Sequence, residues 1–478
     1  MPADKLIKYY CHGFILSLLG AFPAWAAPPE GDNLGIDARI IARAEDDRDL
    51  GSREGGDIHG LSLDLRPWGY FGRGAWSAFT MAQIVSASNS TLPSTDFHDE
   101  TRRDDSREAD NNYLALREFW IGYSGLTAYP GEELRFGRQR LRHEDGLWRD
   151  TTVESLSWSL DTTLLRASLG VAERFSEYRS DIHELAPEDR DRLHVFGGVA
   201  RQWRHGHWVG FDFHHSRDRG HFKRPGEVVD DLDKTRAGTL TWLGLRAGSD
   251  AFASRNEQPF NYWASAIWLG GQRKRLVSAT VNGQRIAISE QSDDARAWGV
   301  DLGLRWRFAQ DWQAGLAYAH GGGGGSQGRH DFQQTGLESN RSRFTGVATQ
   351  VHRFGEAFRG ELANLRSASI FASWQARGGY DASVVVHRFW RASGSQPVGD
   401  SGISAAMPND SKDVGEEIDL IATMYFKNGL LPDALGQIID EPSASLRFRA
   451  GIFWPGNAYG RQADAAMYRV SVDVLWRF

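Results

Sequence analysis

The last eleven residues constrain the fold of this chain more than any other segment. From Tyr468 to Phe478, apolar or aromatic side chains alternate with residues that are mostly polar. A period of two is typical of a strand with one apolar and one polar face. Eleven residues also match the length that a tilted strand needs to cross a bilayer. The segment therefore predicts a membrane-spanning β-strand that closes on an aromatic residue.

The same alternation recurs at 36–43, 61–66 and 445–454, and turn-forming pairs such as Pro130-Gly131, Asn282-Gly283 and Asn428-Gly429 lie between such runs. No long stretch has the apolar period of a helix. The predicted fold class is therefore all-β: a one-domain, single-chain transmembrane antiparallel β-barrel. At roughly 25 residues per strand with its connection, the mature length gives about 18 strands. The formal charge of −7 argues against a general affinity for nucleic acid.

Residues 1–26 have the composition of a secretory signal peptide. Lys5 and Lys8 precede a short apolar core at 14–19, and Ala24-Trp25-Ala26 offers the small residues that a signal peptidase reads. The apolar core is shorter than the roughly 20 residues of a spanning helix; the alternative is a buried N-terminal helix. Cleavage near Ala26 removes Cys11, the single cysteine. The mature barrel is then 27–478, without disulfides, and its predicted location is the bacterial outer membrane.

Counting strands from the two ends assigns the connections to the two sides of the membrane. Bacterial barrels have short periplasmic turns and longer extracellular loops, so 87–112, 393–415 and 455–465 are predicted to be extracellular. The polar segment 87–112 is predicted to act as a lid. Residues 428–443 fall on the periplasmic side and are long for a turn there. We expect them to fold into the mouth as a plug, with a loose turn as the alternative.

The basic residues are unusual in kind. Of 55 Lys plus Arg, only seven are lysine, and arginine is preferred where a planar cation meets carboxylate or phosphate. Two interpretations stay open: an anion-selective lumen, or arginines that only satisfy acidic neighbours. The Gly324–Gly328 segment matches G-x-S-x-G but lacks the strand-to-helix turn of a nucleophile elbow. No ordered ligand spacing is visible either, so we predict neither an enzyme, nor a metal site, nor a cofactor.

Several sequence blocks of the chain resemble those of the alginate-export family of outer-membrane porins. Two of the matching blocks are Leu65-Arg66-Pro67-Trp68 and Arg117-Glu118-Phe119-Trp120. Further blocks lie at 113–116, 126–131, 134–142, 174–179, 184–189, 261–266, 335–342, 352–362, 440–443 and 476–478. The resemblance implies an 18-stranded monomeric barrel that exports alginate, a linear polyuronate, from periplasm to cell surface. It also implies contact with outer-membrane lipids and with a periplasmic scaffold lipoprotein of the alginate secretion complex.

The resemblance further implies an electropositive constriction. Carried over within the matching motifs, its basic members are Arg39 (where the family has a lysine), Arg66, Arg117, Arg140, Arg341 and Arg447. Its acidic members are Glu118, Asp150, Glu177 and Asp181. One departure is clear, because the family places a further arginine where this chain has Gln350. We expect a weaker constriction, or one that is completed by Arg353.

Alternation by itself supports only part of this set. Arg39, Arg66 and Arg447 fall on the polar face of their strands. Arg140 shares parity with Leu134 and Phe136, and so faces the lumen only if a bulge intervenes or if those two residues lie outside the regular strand. Arg117 and Glu118 are adjacent and should face opposite sides unless the strand ends there. The alternative function is a small-anion uptake porin, and a third possibility is an outer-membrane lipase or protease, which needs a Ser/His/acid geometry that no spacing suggests.

Overall fold

The computed structural model describes residues 33–46, 48–51, 57–88, 110–129, 131–253, 258–324, 329–376, 379–426, 443–461, 463 and 465–478. Within these ranges the secondary structure is all-β, and no helix is long and apolar enough to cross a membrane. The strands are β1 (Asn33–Asp46), β2 (Ile58–Arg73), β3 (Trp76–Ala87), β4 (Asn112–Tyr123), β5 (Glu132–Arg142), β6 (Asp150–Asp161), β7 (Leu165–Glu173), β8 (Arg192–Arg204), β9 (His207–Asp218), β10 (Arg236–Ser249), β11 (Phe260–Val281), β12 (Gln284–Arg307), β13 (Trp312–Gly321), β14 (Arg341–Ser342), β15 (Val351–His352), β16 (Leu365–Ala376), β17 (Tyr380–Arg391), β18 (Asp413–Phe426), β19 (Ser443–Pro455) and β20 (Met467–Arg477).

Eighteen of these strands form one closed antiparallel barrel. Each pairs with its neighbour in sequence, β13 pairs with β16, and β1 pairs with β20 to close the ring. Closure gives every wall strand a partner on both sides, which is the condition for crossing a bilayer with strands. The predicted all-β fold and the predicted strand number are both confirmed. The two short strands β14 and β15 pair only with each other.

The alternation of the sequence becomes the two faces of the barrel wall. On β20, Tyr468 and Val472 are exposed on the outside, whereas Arg469, Ser471 and Asp473, which have the opposite parity, are buried on the inside. Large apolar side chains cover the outer face in the same way on the other strands. The outer face is therefore apolar and the interior polar, as in barrels that stand in lipid.

The strand directions define two mouths. β1 begins at Asn33 and β20 ends at Arg477, so we call their end the terminal mouth and the opposite end the far mouth. The strand ends that flank 88–111, 392–412 and 456–466 lie at the far mouth, and those that flank 427–442 lie at the terminal mouth. Most of the lid-like segment (89–109) and nearly all of the plug-like turn (427–442) lie outside the described residues, as does the signal peptide at 1–26. Their assigned roles stay predictions.

Two connections at the far mouth fold into the barrel. We call 143–149 the inner tip and the described residues 322–324 and 329–364 the inner loop. Trp148 of the inner tip and Phe354 and Phe358 of the inner loop join an apolar cluster with wall residues such as Trp242 and Phe453. Wall strands from β5 to β20 contribute to the apolar clusters, but none of β1–β4 does within the described ranges. Apolar packing therefore concentrates away from the inner face of β1–β4.

Candidate functional site

Three of the predicted arginines lie side by side where the barrel closes. Arg39 on β1, Arg66 on β2 and Arg447 on β19 face the interior. Nη2 of Arg39 lies 3.1 Å from Oδ1 of Asp473, and Nη2 of Arg66 lies 2.9 Å from Oδ2 of Asp64. Arg447 faces Asp473 across the ladder, but its Nε has no hydrogen-bond partner among the described residues. Alternation places these three correctly.

A β-bulge explains how two adjacent residues of β4 reach the same side. Met81 pairs with Glu118 and the next residue, Ala82, pairs with Leu116, so Arg117 is an extra residue in its strand. A bulge of this kind sets two residues against one and shifts the alternation by one position. Beyond it the exposed apolar side chains fall on Phe119 and Ile121. Glu118 and Arg117 therefore both face inward, and the expectation of opposite faces is wrong.

Arg140 reaches the site because the pairing of β5 with β4 ends before it, and not because of a bulge. β5 pairs with β4 only as far as Arg138, and the free edge of β4 is taken instead by 178–180. Beyond that point the backbone N–H of Arg140 donates to Glu118 at 3.3 Å. Its Nη2 lies 2.7 Å from Oδ1 of Asp150. Arg140, Glu118 and Asp150 thus form one contact group inside the barrel.

The inner loop connects this group to the wall at β19. The Ser339 hydroxyl donates to Asp150 at 2.8 Å, two residues before Arg341. Nη1 of Arg341 lies 3.7 Å from Glu356, whose Oε1 is 2.6 Å from Nη1 of Arg449. Burial alone would raise the pKa of Glu356, but Arg449 and Arg341 outweigh it and lower that pKa to about 2. Glu356 is therefore an anion held between two cations.

Glu177 and Asp181 lie in the connection between β7 and β8. Each is close to an arginine: Nη1 of Arg174 is 3.7 Å from Glu177, and Nη2 of Arg179 is 2.7 Å from Asp181. Arg179 also covers the ring of Tyr113 on β4, 3.8 Å from its centroid. These two acidic residues therefore fix the segment that replaces β5 along the edge of β4.

The backbone carbonyl of Gln350 binds an arginine of the barrel wall. Nη2 of Arg449 donates to the Gln350 carbonyl at 2.8 Å. The expectation that Arg353 supplies the missing charge is wrong. The Arg353 side chain is only 2% exposed, it is ion-paired with Asp301, and the Phe344 ring lies beside its guanidinium. A buried, neutralised cation cannot receive an anion from the lumen.

Taken together, the interior carries a charged series of cations and carboxylates, in which Arg447 and Arg449 are neighbouring cations. Starting at β2, the order is Arg66–Asp64, Arg39–Asp473, Arg447, Arg449–Glu356–Arg341 and, through Ser339, Asp150–Arg140. Sequence reasoning missed Arg449, Glu356, Asp64 and Asp473. Alternation offered a signal for Arg449, Asp64 and Asp473, whereas the place of Glu356 depends on the inward fold of its loop. No group of three or more His, Cys, Asp or Glu within the described ranges is placed to hold a metal ion.

A closed barrel of 18 antiparallel strands, with an apolar outer face and a charged interior, is the architecture of a porin. The crystal structure of Acinetobacter baumannii OccAB4 has this fold, with a TM-score of 0.54 at 10% sequence identity over 95% of this chain and 100% of that one.

The chain belongs to the alginate export family, whose model matches residues 31–473. The alginate production protein AlgE of Pseudomonas aeruginosa is 55% identical over 471 residues, 97% of this chain and 96% of that protein. The protein of the same name from Pseudomonas syringae pv. tomato is 50% identical over 491 residues, 98% of each.

Proposed function

We propose that this protein exports alginate, an anionic polyuronate, through the outer membrane from periplasm to cell surface. Family membership and the two named relatives support the polymer, and the porin barrel supports the location. The observation that carries the proposal is the charged series of arginines and carboxylates along the interior from Arg66 to Arg140. We also propose that the signal peptide is cleaved near Ala26, and that a monomeric barrel docks a periplasmic scaffold lipoprotein at the terminal mouth.

The proposed mechanism is an exchange of carboxylate partners. Arg66, Arg39 and Arg140 each hold a resident carboxylate while their side chains stay partly exposed. The resident carboxylates are only 1–5% exposed and stay in place, so each guanidinium exchanges between its resident and a polymer carboxylate that it receives on its exposed side. A contact on that solvated side is worth only about 0–1 kcal/mol, so the polymer leaves as easily as it binds. Conduction needs this combination of many weak sites.

Arg447 has a distinct part in this proposal. It faces the interior, its Nε lacks a hydrogen-bond partner, and no carboxylate oxygen lies within ion-pair distance of it in the described part of the chain. A polymer carboxylate can bind it without displacing a resident. We assign it the strongest single contact with the polymer, on the order of 1.5–3 kcal/mol for a hydrogen bond to a charged group.

The passage is passive in this proposal, and the protein is not an enzyme. Polymer synthesis and its driving force belong to partners on the periplasmic side. Epimerisation, acetylation and cleavage belong to separate proteins. The arginines of this chain only bind and release carboxylates, and the acidic residues only orient the arginines and compete with the polymer.

Single-channel recording in planar bilayers tests the proposal. We expect anion selectivity and a reversible block by polyuronate, and we expect Arg447→Gln to weaken that block about tenfold. Arg388→Gln is the matched control, since Arg388 lies outside the lumen and is ion-paired with Asp413. If polyuronate fails to block while phosphate permeates, the protein is a small-anion porin. If Arg447→Gln and wild type are blocked equally, the assignment of Arg447 as the strongest contact with the polymer is wrong.

A further inference from the structure

The inner face of β2, β3 and β4 carries a row of aromatic side chains near the terminal mouth. The ring centroids of Trp68 and Phe79 are 6.4 Å apart, and those of Phe79 and Trp120 are 5.7 Å apart. The ring planes are inclined by 27° in both pairs, so each ring is stacked on its neighbour. The row crosses three neighbouring strands at about one height in the barrel.

Register places this row inside the barrel. Trp68 shares parity with Asp64 and Arg66, and Phe79 faces Trp120 directly across the ladder. On the same strand as Phe79, Trp76 has the opposite parity and is 59% exposed on the outer face. The indole of Trp68 occupies the space above Gly35 of β1, where a Cβ would lie 2.3 Å from the ring. The Trp68 ring therefore rests against the inner wall.

Arginines flank the aromatic row. Arg66 precedes Trp68 by two residues on the same face of β2. At the other end, the Arg135 guanidinium lies 4.2 Å from the centroid of the Trp120 ring. Nη2 of Arg135 is 2.7 Å from Glu133, and the Ser77 hydroxyl donates to that same carboxylate at 3.3 Å. These contacts hold Arg135 in place, and its side chain is 38% exposed.

A uronate residue offers two surfaces that match this arrangement. One face of its pyranose ring is built from C–H bonds, which carry partial positive charge and pack against the electron-rich face of an aromatic ring. Its carboxylate is a ligand for a planar guanidinium. The interior also places the partly exposed Arg166 over the ring of Trp208, with its guanidinium 4.1 Å from the ring centroid. That contact has one ring, whereas β2, β3 and β4 offer three rings in a row between two arginines.

We propose that Trp68 and Phe79, with Arg66 and Arg135, form a subsite for a uronate residue of the polymer at the terminal mouth. The pyranose ring packs against the aromatic row, and the carboxylate binds one of the two arginines. This inference rests on the proposed export function and extends it to the sugar ring itself. The occupant is the polymer because the subsite lies at the Arg66 end of the charged series and because its two arginines are complementary to a uronate carboxylate. Its role is to align each residue before its carboxylate passes to Arg66 and Arg39.

The test measures how long a polyuronate oligomer of defined length blocks the channel when it is added on the terminal side. The full mature chain is used in planar bilayers. We expect Phe79→Leu and Trp68→Leu each to shorten the block about three- to tenfold, since one ring contact is worth about 0.5–1.5 kcal/mol. Trp76→Leu is the matched control on the outer face of the same strand as Phe79. The oligomer should block this variant for the same time as the wild-type channel.

A second oligomer, with its carboxylates reduced to alcohols, separates ring packing from charge. We expect Phe79→Leu to shorten its weaker block by the same factor as for the charged oligomer. Wild-type open-channel conductance in each variant shows that the barrel has folded, and Phe79→Leu alone decides the matter if Trp68→Leu does not fold. If the wild-type channel is blocked but Phe79→Leu changes neither oligomer's block, the subsite is wrong and the export function stands. If the oligomer does not block the wild-type channel at all, the export function fails with it.

Discussion

Replacing Glu356 by glutamine removes the anion that joins the inner loop to the barrel wall. Its Oε1 lies 2.6 Å from Nη1 of Arg449 on β19 and accepts the backbone N–H of His352 at 3.0 Å. Its Oε2 lies 3.7 Å from Nη1 of Arg341. Glutamine keeps the shape and one acceptor oxygen but leaves two buried cations without their shared carboxylate. We expect the inner loop to detach from the wall while the barrel itself stays closed.

Two independent routes give the size of this effect. Removing one partner of a buried ion pair typically costs about 3–5 kcal/mol. The pKa of Glu356 is about 2 in the folded protein against an ordinary 4.5, first because Arg449 and then because Arg341 outweigh the effect of burial. At about 1.4 kcal/mol per pH unit, that difference is worth about 3 kcal/mol. Because the folded pKa is depressed, this stabilisation is present above pH 4.5 and is lost as the pH falls towards 2.

Hydrogen exchange of the inner loop measures this directly. The reporter is the amide of Arg353, which donates to the Asn340 carbonyl at 2.7 Å within the short β14–β15 region. At neutral pH its protection should fall by about a hundredfold or more in Glu356→Gln, and in wild type it should fall similarly below pH 4. Glu144→Gln is the control, because Glu144 is 53% exposed. Unchanged protection in Glu356→Gln would refute the assignment of Glu356 as the joint.

Three further changes test other contacts. Gly146 has φ of +69°, and a Cβ there would lie 2.2 Å from the Arg341 carbonyl, so Gly146→Ala should destabilise the inner tip by about 1–3 kcal/mol; an unchanged urea midpoint would contradict this. Burial lowers the pKa of His143, but Asp145 and Asp212 outweigh it and raise that pKa to about 9 from 6.5. A raised pKa stabilises the folded protein below pH 6.5, and this stabilisation is lost as the pH rises through 9. The protection of the inner-tip amides against exchange should therefore fall above pH 9. Protection that stays constant up to pH 10 would exclude the role of this histidine. Asp473→Asn frees Arg39 of its carboxylate and should lengthen polyuronate block about tenfold, whereas an equal block time would count against partner exchange.

The strands could be predicted from the sequence because one rule governs them. A wall between lipid and a polar lumen forces period-two alternation, and the length of the chain then limits the number of strands. The same rule gave the inward faces of Arg39, Arg66 and Arg447. It fails wherever the wall departs from regular pairing. The extra residue at Arg117 and the early separation of β5 from β4 are both decided by contacts between strands, which no single segment encodes.

The interior of the barrel was the least predictable part. The inner loop has no alternation of apolar and polar residues, and its polar and glycine-rich composition is typical of an ordinary surface loop. Its inward fold is set by distant carboxylates on the wall. Glu417 of β18 accepts the backbone N–H groups of Ala357 at 2.6 Å and Phe358 at 2.9 Å, and Asp419 accepts that of Glu356 at 3.1 Å. Partners separated by about sixty residues leave no local pattern, so Glu356 could not be placed from the sequence.

The exposure of the interior arginines separates two roles within the predicted constriction. Arg39, Arg66 and Arg140 keep 19%, 22% and 40% of their side-chain surface, whereas Arg341 keeps 3%. A partly exposed guanidinium can receive a carboxylate from the lumen on its solvated side, but a buried one cannot without breaking its buried ion pair. We therefore expect Arg341→Gln to loosen the inner loop as Glu356→Gln does, and Arg66→Gln to alter polymer block without changing amide exchange there. Equal exchange effects from the two variants would show that burial does not divide these arginines into structural and polymer-binding groups.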